Sequence, residues 1–313
     1  MDFTGGLTFT GGLSVTPQPP SPGAYAIFGY GESDVGLVST TNLVSNTGVV
    51  ATDTAGVGTA RRQPAAASYG TDKAIFGYGQ SSGGAVSLTN KVSNTGVVAS
   101  DTTGVGTARY RLGAAGYGTD KAIFGNSSGG SGSWTNLVSN TGVVANDIAG
   151  VGTNRLDYAG ATYGTDKGIF GYGYVGFSST YVSITNLISN TGVQGNDVSG
   201  VGTSRGNLAA AGYGTDKAIF GYGSTGSIFS LTNLVSNTGV VSSDTSGVGT
   251  ARAFLAAATY GVDKSIFGYG GNQNGLGRVS VTNKVSNTGV VATDTTGVGT
   301  AKNYLAAASY GTT

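Results

Sequence analysis

Residues 213–223 read YGTDKAIFGYG, residues 230–252 read SLTNLVSNTGVVSSDTSGVGTAR, and residues 255–261 read LAAATYG, returning the chain to the Tyr-Gly where the block began. The same block is written six times, with the Phe of its Ile-Phe-Gly at Phe28, Phe76, Phe124, Phe170, Phe220 and Phe267. Self-similarity at such a period decides the architecture before any local reading begins. Within one block, LAAASYG (305–311) is a short, small-residued apolar strand A. A Thr-Asp turn follows, and KAIFGYG (73–79) reads as strand B. SLTNLVSN (87–94) alternates as strand C, Asn94-Thr95-Gly96 turns the chain, and GVVASD reads as strand D. Four antiparallel strands per period are what a propeller blade requires.

Composition agrees. Gly supplies 58 of 313 residues and only 10% are charged, so strands and tight turns are favoured over helices. Cys and His are both absent, which removes disulfides, thiol nucleophiles and the usual acid/base of neutral pH. The net charge of +1 gives no clustered basic surface, so no nucleic-acid partner is expected. No apolar run approaches the roughly 20 residues that span a bilayer, and MDFTGGLTFT lacks the basic start and apolar core of a signal peptide. The charges are themselves periodic. One set of acids is Asp53, Asp101, Asp147, Asp197, Asp244 and Asp294; the matching bases are Arg61, Arg109, Arg155, Arg205, Arg252 and Lys302. A group repeated in every block reads as scaffold, satisfying turn backbones or pairing between strands.

The order Arg, LAAA, DKAIFGYG, TN, V resembles the kelch repeat from Tyr25 to Thr313, with two departures. Gly77-Tyr78-Gly79 replaces the Gly doublet, and the usual strand-D Trp is missing, the single Trp134 lying elsewhere. The near-identical copies are also similar to repeat proteins of marine tailed phages. The expected fold class is all-β: a six-bladed β-propeller of four-stranded antiparallel blades at 24–313, with ring closure between N-terminal and C-terminal strands. The first copy lacks strand A and the chain ends on one, Leu305 to Gly311, so the two ends complete one blade. Closure removes the open edges that invite aggregation.

Comparison of the copies locates the variation. From the Thr-Asn Asn to the Asp is 11 residues in all six copies, and from that Asp to the Arg or Lys is 8. Only the interval from Phe to that Asn changes, being 14, 14, 12, 16, 13 and 16 residues. All length change therefore falls in the B–C loop. A second variable patch is the triplet after the Arg, for example Arg62-Gln63-Pro64 and Leu156-Asp157-Tyr158. By strand parity both patches share one face, and the Thr-Asp and Asn-Thr-Gly turns share the other. Unselected loops drift and tolerate length change cheaply; a binding face that differs from blade to blade shows the same variation. The aromatic and Arg side chains there, Trp134, Tyr174, Phe177, Tyr181, Phe229 and Arg278, are the candidate ligand contacts.

Residues 1–23 stand apart. FTGGLTFTGGL (3–13) is a small duplication followed by a Pro-rich linker that favours extended chain. Phe3, Leu7, Phe9 and Leu13 are its candidate anchoring residues. The tail leaves on the face opposite the variable loops, to be held by a neighbouring subunit or partner, or to fold back on its own propeller. No metal site, cofactor or catalytic group is expected: DTTGVG at Asp101 offers one carboxylate where Ca²⁺ takes six to eight oxygens, no phosphate loop precedes a helix, and no two non-repeated acids pair convincingly. The resemblance to phage repeat proteins implies a virion structural protein, a head fibre or decoration or a tail-associated adhesin. It would be part of a larger assembly, joined to other virion proteins through residues 1–23, and would turn the variable face toward a host-surface glycan or protein. The alternative is an extracellular or bacterial cell-surface binding module; an adaptor for an intracellular protein is a third reading.

Overall fold

The computed structural model describes residues 25–125, 133–176, 180–272 and 277–311. The anchoring residues Phe3, Leu7, Phe9 and Leu13, and Phe177, lie outside them. The described chain is all-β and propeller-like, built from many small antiparallel sheets. Each block contributes an inner, a middle and an outer strand. In the second block these are Ala65–Tyr69, Lys73–Gly77 and Thr89–Val92, and in the fourth Ala159–Tyr163, Lys167–Gly171 and Thr185–Ile188. The last strand, Ala306–Tyr310, pairs with the first, Tyr25–Gly29, which in turn pairs with Thr41–Val44. Inner strands touch those of the neighbouring blocks in chain order, and Ala306–Tyr310 touches Ala65–Tyr69. Inner strands crowd together, so their side chains are mostly buried Ala.

The Ile-Phe-Gly tripeptide explains itself in packing. Ile75 and Phe76 are fully buried. Gly77 meets the ring of Phe124 from the next block, where an added Cβ would stand 2.6 Å from Cζ. The same contact joins Gly268 to Phe28, between the last block and the first. Tyr78, which continues the motif, takes a left-handed φ of 62° that non-Gly residues seldom adopt. In return its ring is fully buried edge-on to Phe124 at 5.1 Å and its hydroxyl donates to Val105 O at 3.2 Å.

The fourth strand departs from expectation. Among the described residues, five of the six block sheets have three strands, and only the third gains a fourth, Ile148–Ala149. Elsewhere the D segment touches the outer strand at isolated bridges, such as Val92↔Val98 and Thr89↔Thr102. Three residues separate 89 from 92 but four separate 98 from 102, so the segment carries one extra residue and bulges. The Asn90 side chain fills the gap, donating from Nδ2 to Ala99 O at 3.0 Å and to Asp101 at 2.9 Å.

That Asn leads into a clamp between blocks. Arg205 is fully buried. It donates from Nε to Tyr222 O (2.7 Å), from Nη1 to Thr203 O (3.0 Å) and from Nη2 to Asn233 Oδ1 (2.8 Å), and it lies 4.5 Å from the Tyr172 ring centre. Asn233 holds Asp244, whose other oxygen accepts from the Thr203 hydroxyl at 2.6 Å. Burial pushes the Asp244 carboxyl up, but hydrogen bonds from Thr203 and Asn233 and the nearby Arg205 charge hold it below its ordinary value. The repeated Asp and Arg thus pair between strands and satisfy backbone carbonyls. Between last and first blocks Lys302 takes the Arg place, donating to Asn42 Oδ1 at 2.9 Å and Thr40 O at 3.2 Å, while Thr300 reaches Asp53.

Candidate functional site

The triplets after the five buried Arg and after Lys302 converge at the centre of one face. Their middle members are Gln63, Arg111, Asp157, Asn207, Phe254 and Tyr304, all with φ between 50° and 65°. Their backbones bond head to tail. The amide of Arg111 donates to Gln63 O, Asp157 to Arg111 O, Asn207 to Asp157 O, Phe254 to Asn207 O, Tyr304 to Phe254 O and Gln63 to Tyr304 O, at 2.7–3.3 Å. We call this cycle the rosette. One backbone conformation therefore presents six different side chains, around a shallow cavity of about 80 Å³.

The B–C loops flank it. Arg62 bridges to Gln80, Gly206 to Ser224, Ala253 to Gly271 and Asn303 to Glu32. In the fourth block the triplet and the loop hairpin form one small sheet, Arg155–Leu156 against Tyr174–Val175 against Thr180–Tyr181. The two variable patches are thus hydrogen-bonded neighbours on one face.

Charges on this face are matched. Glu32 pairs with Arg62 at 2.8 Å and with Arg278 at 3.0 Å, and Arg278 also reaches Asp34 at 2.8 Å. Arg111 Nε stands 3.6 Å from Asp157 Oδ2, and its Nη1 donates to the Tyr174 hydroxyl. The Asp157 side chain is only 7% exposed. Burial pushes its carboxyl up to about 6, against the opposing pull of Arg111 and a hydrogen bond involving Tyr174. On the other side Phe254 and Tyr304 pack at 4.3 Å between ring centres. A charged, hydrogen-bonding half thus faces an aromatic half.

The structure brings Tyr174 and Tyr181 together, rings edge-on at 5.8 Å, beside Arg111 and Asp157. Arg278 is engaged rather than free, its side chain 11% exposed between the last and first loops. Phe229 is half-buried, its amide bonded to Gly223 O at 2.8 Å. Trp134 begins the outer strand Trp134–Val138 opposite Ala149, half-buried and in a different setting. The rosette is the part that the choice of loop aromatics missed. Its signal was present in the middle of the triplet, a different residue in every copy at a spacing that never changes.

The fold and this site define an all-β, propeller-like repeat scaffold that carries one diversified face. No protein-family model matches the chain, and no curated protein matches it.

Proposed function

We propose that this chain is a six-bladed propeller, closed by pairing of its terminal strands, that works as a display and binding module rather than as an enzyme. The carrying observation is the rosette: identical backbone, six different side chains, at the point where all six blocks converge. The facing polar and aromatic halves suit recognition of a host-surface glycan or protein. The setting we propose is a tailed-phage virion, with residues 1–23 joining other virion proteins and the rosette face outward. The resemblance of the repeats to phage repeat proteins supports the setting, and the location of all length variation on one face supports the orientation.

The test is attachment. Phe254→Ser with Tyr304→Ser should lower binding of the purified protein to intact host cells at least tenfold while its unfolding midpoint changes little. Undiminished binding would remove the rosette as the contact surface. Detection of the protein in the cell envelope and not in purified particles would favour a bacterial surface module.

A further inference from the structure

The opposite face carries features that the rosette reading does not use. A funnel of about 520 Å³ opens among the Thr-Asp turns, walled by Tyr69, Tyr117, Tyr163 and Tyr213, with Thr165 in one of the turns. That volume falls in the range of pockets that take small ligands or a few side chains. One valine of each Asn-Thr-Gly turn, Val49, Val97, Val143, Val193, Val240 and Val290, is 61–66% exposed. Together these six equivalent valines give the face a set of apolar groups that a covering partner would bury. The charges beside the funnel are neutralised in place, Lys121 by Asp120 and Lys217 by Asp216, each at 2.7 Å, so they do not repel a like face.

The described chain begins on this same face. Tyr25 stacks on Tyr310 at 5.8 Å, and Tyr310 is the inner-strand tyrosine of the first block, equivalent to the four that wall the funnel. Upstream lies FTGGLTFTGGL, which brings Phe3, Leu7, Phe9 and Leu13 with no charge between residues 3 and 13. Between that segment and Tyr25 stand Pro17, Pro19, Pro20 and Pro22, four of the chain's five prolines. A sequence of this composition favours polyproline II at about 3.1 Å per residue, which over six residues is a reach of roughly 19 Å, long enough to pass the segment to an apposed copy.

We propose that the funnel receives residues 3–13 of a second copy. Two copies exchange their N-terminal segments with these faces apposed, each covering the other's valines. The same patch serves on both sides, as a two-fold interface requires, and the two rosettes point outward in opposite directions. The proposal rests on the reading of residues 1–23 as an intermolecular anchor and names its partner.

Because the chain has no Cys, single thiols can test this in the full-length protein. Thr8→Cys and Thr165→Cys, made separately, mixed and treated with a short bismaleimide, should give a two-chain product joining residues 8 and 165. Excess wild-type protein should suppress it, and Thr8→Cys with Val35→Cys on the rosette face should give little. Light scattering should report two chains for wild type and one for Phe3→Ser with Phe9→Ser. Absence of the 8–165 product from the mixture, or its formation only within one chain when Thr8→Cys and Thr165→Cys are placed in the same protein, overturns the exchange. If Phe3→Ser with Phe9→Ser blocks particle incorporation while no 8–165 product forms, the anchor reading stands and the exchange falls. If the product forms and the variant is still incorporated, the exchange stands and the virion anchor falls.

Discussion

Arg205→Ala tests whether the buried Arg clamp holds neighbouring blocks together. The guanidinium is fully buried and supplies three hydrogen bonds of 2.7–3.0 Å, to two backbone carbonyls and to Asn233. Truncation leaves those acceptors without a donor and leaves Asp244, 3.9 Å from Nη1, without its nearest cation. Removing one member of a buried charged network costs about 3–5 kcal/mol. Arg205→Lys is the informative companion, because the chain already contains that solution at Lys302, where an ammonium keeps the bond to the Asn side chain and reaches the carbonyl of Thr40, the residue before the Thr-Asn pair, instead of a carbonyl equivalent to Thr203 O. By that precedent lysine at 205 keeps the Asn233 bond and a looser cation contact with Tyr172, loses the bonds to Tyr222 O and Thr203 O, and gains one to Leu231 O, a net cost of about 1–2 kcal/mol. Urea unfolding followed by Trp134 fluorescence and by circular dichroism would give both numbers. An alanine variant within about 0.5 kcal/mol of wild type, or no gap between alanine and lysine, would refute the clamp.

Gly106→Ala should cost more than Gly176→Ala in the same assay. Both positions are left-handed (φ 72° and 61°), costing about 1–2 kcal/mol, but a Cβ at Gly106 collides with the Asp147 carboxylate whereas one at Gly176 meets no atom of the described residues within 4 Å; equal losses would contradict this. For Lys302, burial pushes the ammonium down to about 8, against the attraction of Asp53. Below that pH it is charged in both states and the burial cost is fully present. Above it the folded chain sheds the proton while the unfolded chain, near 10.5, keeps it, so the Lys302 contribution to stability rises by about 2 kcal/mol between pH 7 and 9.5, read as the difference between the wild-type and Lys302→Arg profiles because the buried tyrosines pull the other way in both. Lys302→Arg should lack that contribution, and parallel pH profiles for the two proteins would refute it.

Much of the fold was legible in the repeat because its residues do local work. Lys73–Gly77 is a short apolar run, buried from Ala74 onward, and ends on a glycine that the next block's Phe requires, and Asp101 and Arg109 recur because the junctions between blocks use such a pair. The fourth strand misled because GVVASD has strand composition, while the bulge that breaks its ladder is set by a side chain eight or more residues earlier, Asn90. Tyr158 was opaque for a similar reason. The third block has Asn126 where other blocks have the buried Tyr, and Tyr158 packs on Phe170 at 5.5 Å, equivalent to the pairing of Tyr78 with Phe124. A substitution in one loop is thus compensated from another 32 positions on, which no local pattern reveals.

The rosette's composition bears on whether its variation is drift. Its φ values favour Gly, Asn or Asp, and this chain places Gly freely elsewhere, with 58 in all. A position free to drift under that backbone preference settles on those three residues, since others cost on the order of 1 kcal/mol or more. Only Asp157 and Asn207 fit the preference; Gln63, Arg111, Phe254 and Tyr304 do not. The scaffold recovers that cost at Tyr78 by burying the ring and bonding the hydroxyl, once in each of five blocks and always with tyrosine. At the rosette the residue changes each time, so one packing requirement cannot account for the choices. Stacking of Phe254 on Tyr304 and pairing of Arg111 with Asp157 offset part of the cost and hold those side chains in place around the cavity. Four disfavoured residues of four different kinds, on one left-handed backbone conformation shared by all six copies, support the proposed binding role of this face.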